Sequence, residues 1–232
     1  MTDLLQQIDY REAASAAEKD RIYQLRYEAY RREDAIEPSL SRRFSDSYDK
    51  LANCWNFGIH IDNELVAAIR FHVISKAHRM GPALDVFPDI VSPFIESGMT
   101  IVDPTRLVVS ERASQDFPGL PYVTVRIACM ASEYFNAQYC LATVRVEHMA
   151  FYKRIFGFET ITEPRPYPTL KKPICLMTGD MDTIRDRVAT RYPMFMSTFT
   201  ERRLLFERQA DSGLDNLGGT PPLVTSTERL AS

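Results

Sequence analysis

Apolar residues recur at two spacings along the chain, and these spacings predict where its helices and strands lie. Within 15–34, Ile22, Leu25 and Ala29 repeat every three to four residues, which is the spacing of one helix face. Runs rich in β-branched and aromatic residues, bounded by turn residues, predict strands elsewhere. The further predicted helices are 122–138, 148–157, 181–192 and 194–209. The predicted strands are 55–61, 65–75, 100–110, 139–147, 158–161 and 171–180.

The order of these elements predicts one mixed α/β domain rather than two. The segment 35–54 is polar and aperiodic and is predicted to be a loop, whereas 76–99 is a longer excursion containing a short helix that ends at Gly98. Because neither an internal repeat nor a linker is visible, we place a single domain at 1–209. After it Gly, Pro, Ser and Thr dominate, which predicts a flexible C-terminal tail over 210–232.

The strand at 100–110 carries Asp103 and Arg106 within an otherwise apolar run. Residues three apart on a regular strand face opposite sides of the sheet. Pro104, which lies between them, cannot donate a ladder hydrogen bond and is typical of strand edges, strand starts and bulges. We therefore predict a β-bulge at Pro104–Thr105 that places both side chains near one cleft. It would also free backbone N–H groups, which could hold an oxyanion.

Three arginines lie in apolar surroundings, where a guanidinium is costly unless a carboxylate meets it. Arg26 shares its helix face with Ile22 and Leu25, and Arg70 lies within the apolar run "LVAAIRFHVI". The arginines are Arg26, Arg70 and Arg106, and their candidate partners are Asp46, Asp49 and Asp103. The pattern predicts a buried charge network. Such a network either serves a functional site or only ties the first helix and its loop to the sheet.

Composition and charge exclude several classes of function. The 232 residues carry 28 Lys and Arg against 31 Asp and Glu, and the net charge of −3 gives no sign of nucleic-acid binding. No run approaches the roughly 18 apolar residues of a transmembrane segment, and the polar start is unlike a secretory signal. The four histidines show no metal-ligand spacing, so we expect no metal. Four widely spaced cysteines without a C-x-x-C pair predict buried free thiols in a cytoplasmic protein.

A motif near the end of the predicted domain resembles the GNAT acyltransferase superfamily, whose members often end their core with F-Y-x-x-x-G-F-E. The stretch "FYKRIFGFE" matches it with one extra residue before the glycine. The matching residues are Phe151, Tyr152, Gly157, Phe158 and Glu159. The resemblance implies a GNAT-like α/β (α+β) fold, with a central mixed, mostly antiparallel sheet whose bulged, splayed central strand is flanked by helices. The alternative is an ordinary amphipathic helix with a glycine C-cap.

The phosphate-binding loop of that superfamily is missing. In its usual form, Q/R-x-x-G-x-G/A, backbone N–H groups at a helix start hold the pyrophosphate of acetyl-CoA. Here the corresponding junction reads "SERASQDFPGLPYVTV", in which Gly119 is flanked by Pro118 and Pro121. Because proline lacks the N–H donor, CoA is expected to be a poor acyl donor.

One GNAT branch does without that loop, and this chain resembles it over roughly residues 15–160. It comprises the acyl-homoserine-lactone (autoinducer) synthases and the N-acyl amino acid synthases, which take the acyl chain from acyl carrier protein. In order, the matching residues are Arg26, Tyr30, Asp46, Asp49, Arg70, Asp103 and Arg106. Two departures weaken the match to the autoinducer synthases and favour the N-acyl amino acid synthases: no Trp follows Tyr30 closely, and Asp103 stands in place of the usual Glu.

The resemblance implies an N-acyltransferase that binds no cofactor and moves a fatty acyl chain from acyl carrier protein, rather than from CoA, to the amine of an amino acid. The expected catalytic residues are Asp103, Arg106 and Tyr152. Of these, Asp103 is the expected base and Tyr152 the expected proton donor to the leaving thiol. The expected substrate-binding residues are Arg26, Tyr30, Asp46, Asp49 and Arg70. The expected acyl-chain residues are Met130, Phe135, Met194 and Phe195. The expected carrier-protein docking residues are Arg31, Arg32, Arg42, Arg43, Lys153 and Arg154.

Several alternatives stay open at this point. The acyl-chain residues also fit an ordinary core, Tyr152 fits a packed tyrosine, and the basic residues fit a solvated surface. An autoinducer synthase using S-adenosylmethionine is the alternative within the same branch. A CoA-dependent N-acetyltransferase and a non-catalytic GNAT-like module that binds lipid or protein are the others.

Overall fold

The computed structural model describes residues 2–167 and 169–207, and the predicted tail at 210–232 lies outside them. The strands are β1 (Ile8–Glu12), β2 (Cys54–Ile61), β3 (Glu64–Ile74), β4 (Ile101–Val109), β5 (Tyr139–Val144), β6 (Glu159–Thr160) and β7 (Cys175–Asp180). The helices are α1 (Thr2–Gln7), α2 (Ala16–Arg32), α3 (Pro82–Val86), α4 (Pro88–Glu96), α5 (Glu111–Asp116), α6 (Leu120–Tyr134), α7 (Met149–Phe156), α8 (Met181–Arg191) and α9 (Phe199–Phe206).

The seven strands form one sheet in the order β1-β2-β3-β4-β5-β7-β6. Only β4 and β5 pair in parallel, and every other neighbouring pair is antiparallel. The predicted mixed, mostly antiparallel sheet flanked by helices is therefore confirmed. Each predicted helix and strand is present within a few residues of its predicted ends, although β5 stops at Val144 and α9 starts only at Phe199.

Local sequence explains where the main helices begin and end. At the start of α2 the Ser15 hydroxyl accepts a hydrogen bond from the Glu18 N–H, and the Glu18 carboxylate accepts one from the Ser15 N–H. At the end of α7, Gly157 adopts a left-handed φ of 74°, which favours glycine. The sequence pattern does not predict α1, β1 or α5, because each has six residues or fewer and is mostly polar.

Different helices cover the two faces of the sheet, as alternate residues of β3 show. Ile69, Phe71 and Val73 belong to the core that α6 and α9 cover. Arg70 and His72 point to the opposite face, which α2, α3 and α4 cover. That second face carries the polar side chains described below.

The predicted β-bulge exists, but it lies two residues further along β4. Pro104 keeps a regular position opposite Phe71, which corrects the prediction of a bulge at Pro104–Thr105. Thr105 is opposite Arg70, and the next regular pair is Ala68 with Val108, so Arg106 and Leu107 together oppose one residue of β3. Arg106 adopts a φ of 56°, which is uncommon for a residue other than glycine.

The sheet splits between its two parallel strands. β4 and β5 pair only at Ile101 with Tyr139 and at Val102 with Cys140. Beyond these pairs the two strands separate, and within the described residues the part of β4 that contains the bulge has no partner on its β5 side. The split is the splayed central strand that the sequence predicts.

Candidate active site

A cavity of about 420 Å³ opens where β4 and β5 separate. Consecutive residues of β4, from Pro104 to Val109, line it from one side, and Thr143 and Val144 of β5 line it from the other. The end of α2 and the start of α7 close its remaining walls. The cavity therefore runs along the unpaired edge of a strand, where backbone groups lie next to its contents.

The predicted arginine–aspartate network lies beside this cavity. Arg26 Nη1 is 2.7 Å from Asp49 Oδ1, and Arg70 Nη1 is 2.5 Å from Asp46 Oδ1 and 3.2 Å from Asp49 Oδ2. Arg106 Nη2 is 2.7 Å from the other oxygen of Asp46. None of the five side chains is more than 9% exposed. Although burial opposes it, the charges of Arg70 and Arg106 hold the pKa of Asp46 at about 2.

A short 3₁₀ turn, Ser47–Lys50, holds both network carboxylates in place. Asp46 caps the turn and accepts a hydrogen bond from the Tyr48 N–H at 3.1 Å, while Asp49 accepts one from the Asp46 N–H at 3.0 Å. The Tyr48 hydroxyl donates to Asp85 on α3 at 2.6 Å. The D-S-Y-D sequence thus fixes the carboxylates locally before the arginines reach them.

The bulge lets two consecutive residues of β4 contact the same network. Arg70 Nε donates to Thr105 Oγ1 at 3.0 Å, although Thr105 and Arg106 would face opposite sides of a regular strand. Arg106 also donates to Thr169 Oγ1 at 3.0 Å. Its guanidinium carbon lies over three aromatic rings, at 4.1 Å from the centre of Phe44, 5.3 Å from Tyr167 and 5.4 Å from Tyr30. Aromatic faces and Asp46 together balance the charge of this buried arginine.

Asp103 lies on the face of the network but makes no ion pair with any of the described residues. Its Oδ2 accepts a hydrogen bond from the Ala83 N–H in the first turn of α3 at 3.1 Å. Burial raises the pKa of Asp103 to about 7, against the opposing effects of that N–H group and of Arg70. Of Asp103 and Arg106, which the bulge was predicted to place near one cleft, only Arg106 lines the cavity.

Tyr152 lines the cavity from α7, beside Phe151 and His148. Burial raises the pKa of its hydroxyl well above the ordinary value, so the group is protonated at neutral pH. Its ring also packs near Phe156 and Phe158. The position fits both a packed tyrosine and a proton donor, and its catalytic role stays a prediction.

The four predicted acyl-chain residues do not line this cavity. Met130 and Phe135 pack in the core beneath α6, and Phe195 is buried among α6, α7 and α8, with Met194 packed against both cores. The apolar wall instead includes Ile69, Leu107, Val144, Phe151, Leu170 and Ile174. A second, almost wholly apolar cavity of about 10 Å³ shares Pro104 and Tyr152 with the first and extends behind it.

The predicted docking residues lie at least partly on the surface, and they differ in how strongly they are held. Arg43 pairs with Asp20, and Arg31 donates to the Ile36 carbonyl at 2.6 Å. Arg154 donates to the Tyr122 hydroxyl at 3.1 Å, and Lys153 is exposed. Arg32 and Arg42 line a shallow groove that adjoins the mouth of the cavity at Ala29. The groove and the cavity share Ala29 and Arg32.

The sequence pattern does not identify several residues that lie at the site. Asn56 accepts a hydrogen bond from Arg26, and a polar residue inside the buried run "WNFGIHI" is the signal that was available. Arg145 pairs with Glu33 across the cavity wall, and its Nη2 lies 2.7 Å from His148 Nε2. Tyr167 lies between two prolines in an aperiodic segment, so no periodicity marks it.

Across residues 2–167 and 169–207, no group of three or more His, Cys, Asp or Glu side chains is arranged to bind a metal ion. No helix in the same part of the chain is long and apolar enough to cross a membrane.

A mostly antiparallel sheet that splits between its two parallel strands, with a polar site at the split, is the arrangement of GNAT-type acyltransferases, and this chain is one of them. A family model described as "FeeM: N-acyl amino acid synthase FeeM" matches residues 21–180. The chain therefore belongs to the FeeM N-acyl amino acid synthase family. A search of curated protein sequences yields no significant match.

Solved structures share the fold at low sequence identity. FeeM, an N-acyl amino acid synthase from uncultured soil microbes, is 14% identical with a TM-score of 0.64, over 82% of this chain and 98% of that chain. TofI is 12% identical with a TM-score of 0.59, over 82% of this chain and 100% of that chain. The CoA-dependent acyl-homoserine lactone synthase BjaI is 16% identical with a TM-score of 0.55, over 79% and 89% of the two chains. These similarities concern the fold.

Proposed function

We propose that this enzyme transfers a fatty acyl chain from the thioester of acyl carrier protein to the amine of an amino acid. The observation that carries the proposal is the cavity between β4 and β5, which has apolar walls and borders a buried network of three arginines and two aspartates. An apolar chain and a charged acceptor would meet at that border. Membership of the FeeM family supports the same reaction.

The residues at the border suit the chemistry of amide formation. The amine nitrogen attacks the thioester carbonyl carbon, the carbon–sulfur bond breaks, and the ammonium proton passes to a base. Asp103, with a pKa of about 7, is the candidate base. Unpaired backbone N–H groups of β4 hold the oxyanion, and Tyr152 protonates the departing thiolate.

The junction after β4 supports acyl carrier protein over CoA as the donor. Ser110 caps the short helix α5, and α6 begins at Leu120 directly after Gly119, with Pro121 in its first turn. This junction lacks the run of glycines with which other GNAT proteins hold a pyrophosphate. A carrier protein instead brings its own protein surface, which basic residues around the cavity would meet.

Charge reversal in the groove is expected to slow the reaction with acyl carrier protein. Acyl carrier protein is acidic, so Arg42→Glu, which places a carboxylate beside Arg32, should raise KM for acyl carrier protein several-fold at low salt. Increasing salt should shrink the difference between variant and wild type, because screening weakens exposed charges. Steady-state rates between about 25 and 300 mM salt measure both effects.

The matched control is Arg203→Glu on α9, which packs on α6 and β1 away from the cavity. It makes the same change in net charge and should leave KM unchanged. Equal effects of the two variants would show that net charge, and not a docking groove, controls the encounter.

Lipid mass spectrometry on a bacterial host that expresses the protein tests the proposed function directly. The expected product is an N-acyl amino acid that is absent from a host expressing the Asp103→Asn variant. A homoserine lactone would instead identify an autoinducer synthase. We do not expect that outcome, because the tryptophan that autoinducer synthases carry after the position of Tyr30 is missing. The single tryptophan, Trp55, is buried in the core with Phe71 and Phe206 and does not line the cavity.

A further inference from the structure

Besides Arg26 Nε, four buried polar atoms in or near the network have no hydrogen-bond partner among the described residues. They are Arg70 Nη2, His72 Nδ1, Asp103 Oδ1 and Tyr167 Oη. Arg70, His72 and Asp103 are fully buried, and Tyr167 is only 7% exposed. Folded proteins pair nearly all buried polar atoms, because each unpaired one costs roughly 1–3 kcal/mol. Four such atoms from three separate segments therefore indicate a polar guest.

These atoms converge in one region. His72 is directly opposite Asp103 in the pairing of β3 with β4, and Arg70 is opposite Thr105, so the three polar side chains share one face. Tyr167 lies on the segment between β6 and β7, whose base is closed by paired backbone bonds between Arg165 and Ile174.

Electrostatic effects locate Tyr167 in the same cluster. Burial raises the pKa of Tyr167, the charges of Arg106 and Arg70 lower it, and the carboxylates of Asp46 and Asp103 raise it further. The guanidinium of Arg106 lies 5.3 Å from the Tyr167 ring centre. Arg106 also lines the 420 Å³ cavity, so Tyr167 lies next to a residue of the cavity wall.

The four atoms offer two donors and two acceptors. Arg70 Nη2 and the Tyr167 hydroxyl donate, and Asp103 Oδ1 accepts. His72 Nε2 lies 3.1 Å from the Tyr48 carbonyl oxygen, which can only accept, so the ring proton is on Nε2. Burial lowers the pKa of His72 to about 3, which leaves the ring neutral and Nδ1 an acceptor.

We propose that these atoms form a buried subsite for the head group of a zwitterionic α-amino acid. Arg70 Nη2 and the Tyr167 hydroxyl donate to its carboxylate, and Asp103 Oδ1 and His72 Nδ1 accept from its ammonium group. The subsite rests on the proposed function and deepens it, because it makes Tyr167 a specificity-determining residue and requires the α-carboxylate of the acceptor. An amine without that carboxylate leaves both donors unpaired.

Acceptor analogues test the requirement for the carboxylate. The full chain is supplied with an acyl carrier protein thioester and with each of the twenty proteinogenic amino acids. The best acceptor is then compared with its methyl ester and its decarboxylated amine. Because a site built around hydrogen bonds rejects a ligand that lacks the matching group, kcat/KM for the decarboxylated amine should fall by about 10⁴-fold. Equal rates with the amine and the amino acid would overturn the subsite while leaving acyl transfer intact.

Tyr167→Phe tests the tyrosine, with Tyr10→Phe as the matched control. Losing a hydrogen bond to a carboxylate should raise KM for the amino acid about 10- to 100-fold. The variant should keep its Tm, because the hydroxyl has no partner in the described part of the empty enzyme. Tyr10 donates to the Val123 carbonyl at 2.6 Å away from the site, so Tyr10→Phe should lower Tm and leave KM unchanged.

Binding of free amino acids, measured by calorimetry without any acyl donor, separates the two proposals. Binding to the wild type that weakens in Tyr167→Phe supports the subsite, even if no acyl transfer is found and the proposed function fails. A lower Tm for Tyr167→Phe together with an unchanged KM would show that the hydroxyl is structural and would overturn the assignment.

Discussion

Replacing Asp103 by asparagine is expected to lower kcat by about 10²–10⁴-fold, the usual contribution of a general base. The change removes the negative charge but keeps the size of the side chain and an oxygen that can accept the Ala83 N–H. The loss should therefore come from chemistry and not from misfolding. Single-turnover rates with a preloaded acyl carrier protein would measure it without interference from product release.

The pH dependence of the reaction should report the same carboxyl group. Because burial raises the pKa of Asp103 to about 7, the base is protonated in acid, and kcat/KM should rise with pH through about 7. Asp103→Asn should remove this ionisation from the profile. Asp103→Glu, which keeps a carboxyl group but adds a methylene to a packed site, should keep the ionisation at a reduced rate. An unchanged profile in Asp103→Asn would exclude Asp103 as the base.

Asp103→Asn should also stabilise the folded protein at high pH. The pKa of Asp103 is higher in the folded protein than its ordinary value of 3.8, so the folded state binds the proton more tightly. Its contribution to the free energy of unfolding therefore falls as pH rises from about 4 to about 7, by an amount of order 3–4 kcal/mol. At pH 8 the asparagine variant should unfold at higher denaturant concentration than the wild type. Asp89→Asn, at an exposed ion pair with Arg165, should show no such gain.

Replacing Arg70 by methionine is expected to destabilise the protein by about 3–5 kcal/mol, the cost of removing one member of a buried ion-pair network. Among the described residues, Asp46 then keeps only its ion pair with Arg106, and Asp49 keeps only its ion pair with Arg26. Arg70 lies between Asp46 and Asp49, and its side chain is completely buried. Its loss leaves two carboxylates facing each other beneath the 3₁₀ turn. Chemical denaturation at pH 7 would measure the difference in the free energy of unfolding.

Two comparisons establish that the buried charges cause this loss. Arg43→Met breaks an exposed pair with Asp20 and should change stability little. Adding Asp46→Asn to Arg70→Met should recover part of the loss, because it removes one of two neighbouring buried negative charges, while Asp49 keeps its ion pair with Arg26. A double variant less stable than Arg70→Met alone would contradict this explanation.

Acid should weaken the network of the wild type in a defined range. The pKa of Asp46 is about 2 in the folded protein, below its ordinary value of 3.8. The stability that this carboxylate contributes is therefore complete above about pH 4 and is lost as pH falls from there toward 2. In Arg70→Met this part of the acid transition should move to higher pH, since one of the two charges that hold the pKa down is gone.

The sequence by itself determined those features that depend on neighbours along the chain. The apolar spacing of α2, the Ser15–Glu18 capping box and the glycine that ends α7 act within a few residues. The D-S-Y-D turn that presents Asp46 and Asp49 is equally local. Asp46 and Asp49, two of the three candidate partners of the buried arginines, also followed from sequence, because a buried guanidinium needs a carboxylate. The third candidate, Asp103, pairs with none of the arginines among the described residues.

Only the tertiary structure decided where those features meet. The bulge lies at Arg106–Leu107 and not at Pro104, since register depends on pairing with β3 across the sheet. Met130 and Phe135 lie in a core rather than along the cavity because helical spacing shows which residues are buried but not against what. Tyr167 lies next to Arg106, although it comes from a long aperiodic segment that has no local pattern. Contacts between distant segments depend on three-dimensional packing, and no short window of sequence contains that information.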